Sequence, residues 1–342
     1  NILALIVFLK TGIGDGISVS FFSITVSDLI CLATFLVATL LGLLDLTFQV
    51  KPYVSLYWVS YVLPFYGLMF YNISTLLTLF LAVQKCCCVA MPIKFKNQFS
   101  RSRCLAVSVG IYGATMVTFI PFTVSALPLQ PGFDIATNST RLVFCFSPFF
   151  LNQVFPVLKG ISYISIPIVS EFTVLLCTIL LTVKLNQSLR FRNRAHTATT
   201  TVLKDEIFST KTHLSPIESI PDVLLKSRED QPMENVSHRP SNEVKETIRR
   251  KTNKSRAFKK ELRLTQAVNV VAFIFVVLNS PNIGIFFTSL VLPQFSGIGK
   301  YGNTYAVCLE INDLLNVINM SVNLFVYLKF NSRFKQTFVT TF

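Results

Sequence analysis

The chain has 342 residues, 51% of them hydrophobic and only 14% charged, with 32 Phe and a mean hydropathy of +0.56. That composition excludes a soluble globular protein, which needs a polar exterior this chain cannot supply, and predicts a polytopic membrane protein. A net charge of +14 would suggest nucleic acid for a soluble chain. Here the cations fall mostly between apolar runs, which argues for contact with membrane lipid and against a nucleic-acid partner.

In chain order, Asn1 to Leu9 is apolar but shorter than the roughly 20 residues that cross a bilayer, and it reads as the truncated end of a first span. A run from Ile17 to Leu46 carries one acid, Asp28; the next goes from about Leu56 to Met91 and stops at Pro92. A basic linker with Lys94, Lys96, Arg101 and Arg103 leads into a span from about Leu105 to Leu127. Pro128, Pro131, Gly132 and the sequon Asn138-Ser139-Thr140 predict a loop, with Asn138 as its glycosylation site. A span from about Gly160 to Leu185 contains Pro167. Residues 187–258 are rich in Ser, Thr, Lys, Arg and Glu and poor in aromatics, which predicts a long, largely disordered loop. Spans from about Lys259 to Leu292 and up to Leu328 follow, separated by a loop with Gly297, Gly299 and Gly302. Residues 329–342 then place Phe330, Phe334 and Phe338 on one helical face with cations between them, as in a membrane-surface helix.

Within the final span Asn312, Asn316, Asn319, Asn323 and Tyr327 recur at helical spacing. An unpaired amide in hydrocarbon costs roughly 2–7 kcal/mol, so this stripe must face other helices, water or an ion. The expected fold is therefore an all-α seven-transmembrane helix bundle with a C-terminal amphipathic helix. Alternating the spans puts 27 of the 31 Lys and Arg on the face of residues 187–258 and the C-terminus, so that face is read as cytoplasmic. Of the eight Cys six fall in or beside apolar spans and only Cys145 and Cys308 lie near one face, which allows one bridge between them, a free Cys145, or a Cys145 paired with a Cys in a missing N-terminal segment. The three His all fall within residues 187–258, so no His/acid constellation can form in the bundle and an enzyme is not expected.

This arrangement resembles a rhodopsin-like (class A) G-protein-coupled receptor along nearly the whole chain. Asn1 stands at the family's first-span Asn, and Ser23-Ile24-Thr25-Val26-Ser27-Asp28-Leu29 is similar to the second-span acid motif. Gln84-Lys85-Cys86 occupies the third-span Asp-Arg-Tyr, and Phe275 with Asn279-Ser280-Pro281 the sixth-span aromatic and Trp-x-Pro bend. Asn323-Leu324-Phe325-Val326-Tyr327 occupies the seventh-span Asn-Pro-x-x-Tyr. Several positions depart from the pattern: Gln84, Lys85, Asn279 and Leu324 replace family residues, the fourth span has no Trp, and Ser60 replaces the third-span Cys. Among subfamilies the divergence looks most like molluscan chemosensory or orphan peptide-type receptors.

The resemblance implies a plasma-membrane receptor that binds an extracellular small molecule or peptide and activates a heterotrimeric G protein. Kinases and arrestin would act at the third cytoplasmic loop. Tyr71, Asn72, Asn279, Asn282, Glu310 and Asp313 would line the ligand cavity. Lys85, Glu261, Phe275, Pro281, Asn323 and Tyr327 would form the switch and coupling face. Lys85 and Glu261 would make a weak resting lock in a partly wet site, so that Gln84→Asp would quiet the protein by giving Lys85 a local partner. No cofactor is expected, but a sodium ion held by Asp28, Ser74, Asn319 and Asn323 is implied as an allosteric modulator. The competing reading is a transporter or ion channel using intramembrane acids, since such acids are functional by default.

Overall fold

The structure, a computed structural model, describes residues 1–48, 56–90, 99–126, 129–134, 139–144, 146–184, 186–187, 242–296 and 299–342, with the backbone alone over 242–264. Contacts divide the chain into two units, Asn1–Thr182 with Arg263–Phe342, and Val183–Leu262. In the second unit the described residues are helical.

The first unit is a helical assembly, built from the helices that follow except for those of their residues that fall in Val183–Leu262. Helix α1 (Ile2–Thr11) is followed by α2 (Gly16–Phe48), α3 (Leu56–Ala90) and α4 (Arg101–Ala126). After a hairpin come α5 (Phe150–Lys184), α6 (Asn242–Val291), α7 (Gly302–Phe330) and α8 (Ser332–Thr341). Among the described residues six helices, α2 to α7, are long and apolar enough to cross a membrane; α1 is a shorter apolar helix. In α3, 61% of the most apolar window is buried, against 11% to 33% in the other five, so α3 is the central post. The apolar side chains on the outer faces of the others, Leu43, Val109, Phe172 and Phe325 among them, are exposed and suit lipid.

Three boundaries differ from the sequence expectation. The loop after α4 contains an antiparallel hairpin, β1 (Leu129–Asp134) with β2 (Ser139–Phe144), pairing Leu129 with Phe144 and Asp134 with Ser139. The turn between them, with Asn138, lies outside the described residues, as does Cys145. Helix α5 starts at Phe150 rather than near Gly160, with Pro156 inside it just after a π-helical stretch. Two π-helical stretches, Phe150–Val154 and Gly160–Ser165, interrupt this part of α5. Helix α6 starts at Asn242, inside the stretch read from composition as a loop; residues 188–241 lie outside the described residues.

Aromatic packing ties the chain's two ends together. Phe8 of α1 meets Tyr327 at 5.4 Å and Phe334 at 5.1 Å, and Phe21 of α2 meets Tyr327 at 4.8 Å. Asn331 caps α8, its side chain accepting from the Phe334 backbone N–H at 3.1 Å, which fixes the angle at which Phe334 enters the cluster. Helix α4, which has no Trp, is joined to α2 by Tyr112. Its hydroxyl donates to the Ser23 carbonyl at 2.9 Å and also meets the Ser27 hydroxyl, one residue from Asp28. Tyr112→Phe is expected to lower stability by about 1–2 kcal/mol, the worth of the lost bonds. Thermal melts of the two proteins in the same detergent check this; an unchanged midpoint would mean that the hydroxyl bonds add nothing.

Candidate functional site

Asp28 is 1% exposed on α2. Its Oδ1 accepts from the Ser74 hydroxyl on α3, and its Oδ2 accepts from Asn323 Nδ2 on α7 at 2.8 Å. A single carboxylate thus joins three helices whose residues are 46 and 295 positions away in sequence. Asn319, Met320, Tyr71, Thr75, Thr78, Val271 and Phe275 complete a cavity of about 10 Å³, the room of one water. The donor set fits a small, hard monovalent cation, which the Asp28 carboxylate and the Ser74 hydroxyl would hold through oxygen. Met320 supplies only a thioether to that wall. Among the described residues no three His, Cys, Asp or Glu converge.

Above this cavity a second polar layer links α3, α6 and α7. Tyr71 donates to Asn279 Oδ1 and lies 3.3 Å from Asn316 Oδ1, while Asn279 Nδ2 donates to the Phe275 carbonyl at 2.7 Å. Asn312 Nδ2 donates to Asn282 Oδ1 at 3.4 Å, and both residues are 4% exposed. Asn312 Oδ1 has no protein partner among the described residues, and neither has either amide atom of Asn72, which is fully buried on α3. Glu171 of α5 is 8% exposed with an unpartnered Oε2. Glu310 and Asp313 are exposed on α7.

Helix α6 bends its hydrogen bonding at Pro281. Proline has no N–H, so the Val277 carbonyl loses its helical donor. The Ser280 hydroxyl takes that place at 3.1 Å. Phe275, one and a half turns earlier, is 4% exposed and packs with Ala82, Val174, Cys177 and Ala272 at the junction of α3, α5 and α6.

At the far end of α3, Gln84 is fully buried and uses both ends of its amide. Its Oε1 accepts from the Ser20 hydroxyl of α2 at 3.2 Å, and its Nε2 donates to Cys104 Sγ of α4 at 3.4 Å. Gly16 lies against the same thiol, where a Cβ would come within 2.6 Å of Sγ. Lys85 is 1% exposed, which corrects the partly wet site expected for it: the long apolar stem is enclosed between helices instead of reaching water. The side chain of Glu261 lies outside the described residues, so the expected pair with Lys85 does too. Cys308 is a free thiol, which removes the bridge to Cys145.

The structure therefore brings Asp28, Ser74, Asn319 and Asn323 to one cavity, and Tyr71 and Asn279 to one layer just above it. Asn282 joins that layer's next turn through Asn312. Sequence reasoning put Asn312 and Asn316 on the polar stripe without giving them a site; the regular spacing was the available signal. Tyr112, Ser20, Gln84 and Cys104 carried no signal of their pairing, because their partners sit on other helices and ordinary Ser, Tyr and Cys in apolar runs look alike.

No protein-family model matches the chain, and no curated protein is significantly similar to it. The class that fold and site define is a helical, multi-pass membrane protein with a polar core. No narrower family is shown, and the receptor resemblance stands on the residues quoted for it.

Proposed function

We propose that the chain is a rhodopsin-like receptor with seven spans, α1 belonging to the first, that transmits ligand binding to a heterotrimeric G protein. The observation that carries this reading is the joining of α2, α3 and α7 at Asp28, Ser74 and Asn323, directly beneath the Tyr71–Asn279–Asn316 layer. One layer reports on the other through shared helices, which is what a ligand site coupled to a distant face requires. Ligand would enter from the side of Glu310 and Asp313, favouring a polar or cationic small molecule or peptide. An agonist shifts the equilibrium only by its differential affinity for the state in which α6 has swung about Pro281. A monovalent cation at Asp28 would favour the state in which the cavity is closed.

The orientation follows from the cation count: the segment 187–258 and the C-terminus face the cytoplasm of a plasma-membrane protein, where kinases and arrestin act on the loop. Glu171, an intramembrane acid with an unpartnered oxygen, favours the transporter or channel as second reading. Measuring G-protein dissociation in cells expressing the chain, screened against peptide and small-metabolite pools, separates the two. Ligand-evoked dissociation without current supports the receptor; a current that persists under G-protein blockade overturns it.

A further inference from the structure

The seam between α3 and α5 carries two thiols that the receptor reading does not use. Ala82, Val174, Cys177, Ala272 and Phe275 form one buried cluster, and Cys86 packs against it. Cys177 is 6% exposed and Cys86 is half-buried. The two thiols belong to one packed cluster, and both are free. Their meeting is a matter of register. Cys86 follows Ala82 by four residues and Cys177 follows Val174 by three, so each sulfur continues the helix face that already makes the contact. Cys87 and Cys88 follow Cys86 in sequence, but neighbours on a helix point in diverging directions, so neither is placed to bond Cys86.

We propose that Cys86 and Cys177 are an oxidisable dithiol, a modification site whose co-reactant is a peroxide. Cys86, the more exposed of the two, attacks the peroxide oxygen; the O–O bond breaks, Cys86 becomes a sulfenic acid and water leaves. The Cys177 thiol then attacks the sulfenic sulfur, forming the disulfide and releasing a second water. Two thiols and one hydrogen peroxide thus give one disulfide and two waters, with the peroxide reduced by two electrons. Closing the bond sets the two sulfurs about 2.05 Å apart, across a seam where both side chains already pack in one cluster. The disulfide ties α3 to α5 beside Phe275, the residue through which α6 packs on that seam. That it also holds the protein silent rests on the receptor reading; the bond itself does not.

The full chain in nanodiscs is treated with hydrogen peroxide, its remaining thiols are alkylated, and unreduced digests are mapped by mass spectrometry. The expected result is a Cys86–Cys177 peptide pair about 2 Da lighter than the sum of its parts, for the two hydrogens lost. Dithiothreitol reverses it, and the melting midpoint of the oxidised protein rises by about 3 °C or more. Cys177→Ser should stop the link and leave Cys86 trappable by dimedone, while Cys308→Ser changes nothing. Alkylation of both residues after peroxide, or a bond from Cys86 to Cys87, Cys88 or another molecule, overturns the proposal. Should Cys177→Ser fail to fold, the map of the unmutated chain still decides. A linked protein that signals normally would defeat the restraint on the seam. A linked protein that never answers any ligand counts against the receptor reading and leaves the bond standing.

Discussion

Asp28→Ala should abolish ligand-evoked signalling and lower the stability of the folded protein by about 2–5 kcal/mol, one of the largest effects of any single substitution in this chain. The carboxylate takes one hydrogen bond from Ser74 and one from Asn323. Removing it leaves a hydroxyl and an amide facing a 1%-exposed position, each costing about 1–3 kcal/mol when unpaired. It also enlarges a cavity already lined by Phe275 and Met320. Asp28→Asn separates the two losses, since an amide oxygen still accepts from a donor while the charge is gone. It should keep most of the stability and lose any dependence on sodium. Melting curves in sodium and in a large organic cation such as N-methylglucamine, with signalling at matched surface expression, check both variants. If the alanine variant melts with the unmutated protein, Asp28 is not the link between α2, α3 and α7.

The second large effect is expected from Gln84→Asp, and it falls on stability, where the sequence reading had the new acid quieting the protein by pairing with Lys85. Residues i and i+1 on a helix do not face each other, so an acid at 84 points toward α2 and α4 and away from Lys85. There it would meet the Ser20 hydroxyl but lose the donor to Cys104, one methylene short, as a charge in a fully buried place. A cost of roughly 2–5 kcal/mol follows from burying an acid without a compensating cation. The variant should reach the surface poorly and melt lower. Gln84→Leu, which keeps the volume and adds no charge, should cost about 1 kcal/mol, because Ser20 still donates to the Gly16 carbonyl at 3.2 Å. Surface yield and melting midpoint of the two variants decide the matter. An aspartate variant that folds as well as the leucine one would mean that the acid finds a cation after all.

The aromatic face of the C-terminal helix was legible before any coordinates, since Phe334 and Phe338 fall four residues apart among polar neighbours. What that face packs against was not. Phe334 sits on Phe8 and Tyr327, and nothing in the first ten residues marks Phe8 as its partner. The same split runs through the thiols: six Cys in apolar runs are countable, but only the register of α3 on α5 sets Cys86 against Cys177.

By itself the sequence determined that this chain lives in a membrane, where α2, α3 and α4 begin and end within a few residues, and that one face of the last span is polar. Those properties are local: a bilayer demands apolar runs of a set length, and helical period turns spacing into a face. Only the tertiary structure decided which polar groups meet, that Lys85 and Gln84 are enclosed, and that Tyr112 bridges to α2. In hydrocarbon a buried polar atom takes whatever partner the neighbouring helix brings. That choice depends on helix rotation and height, which a run of Leu, Val and Phe leaves unspecified.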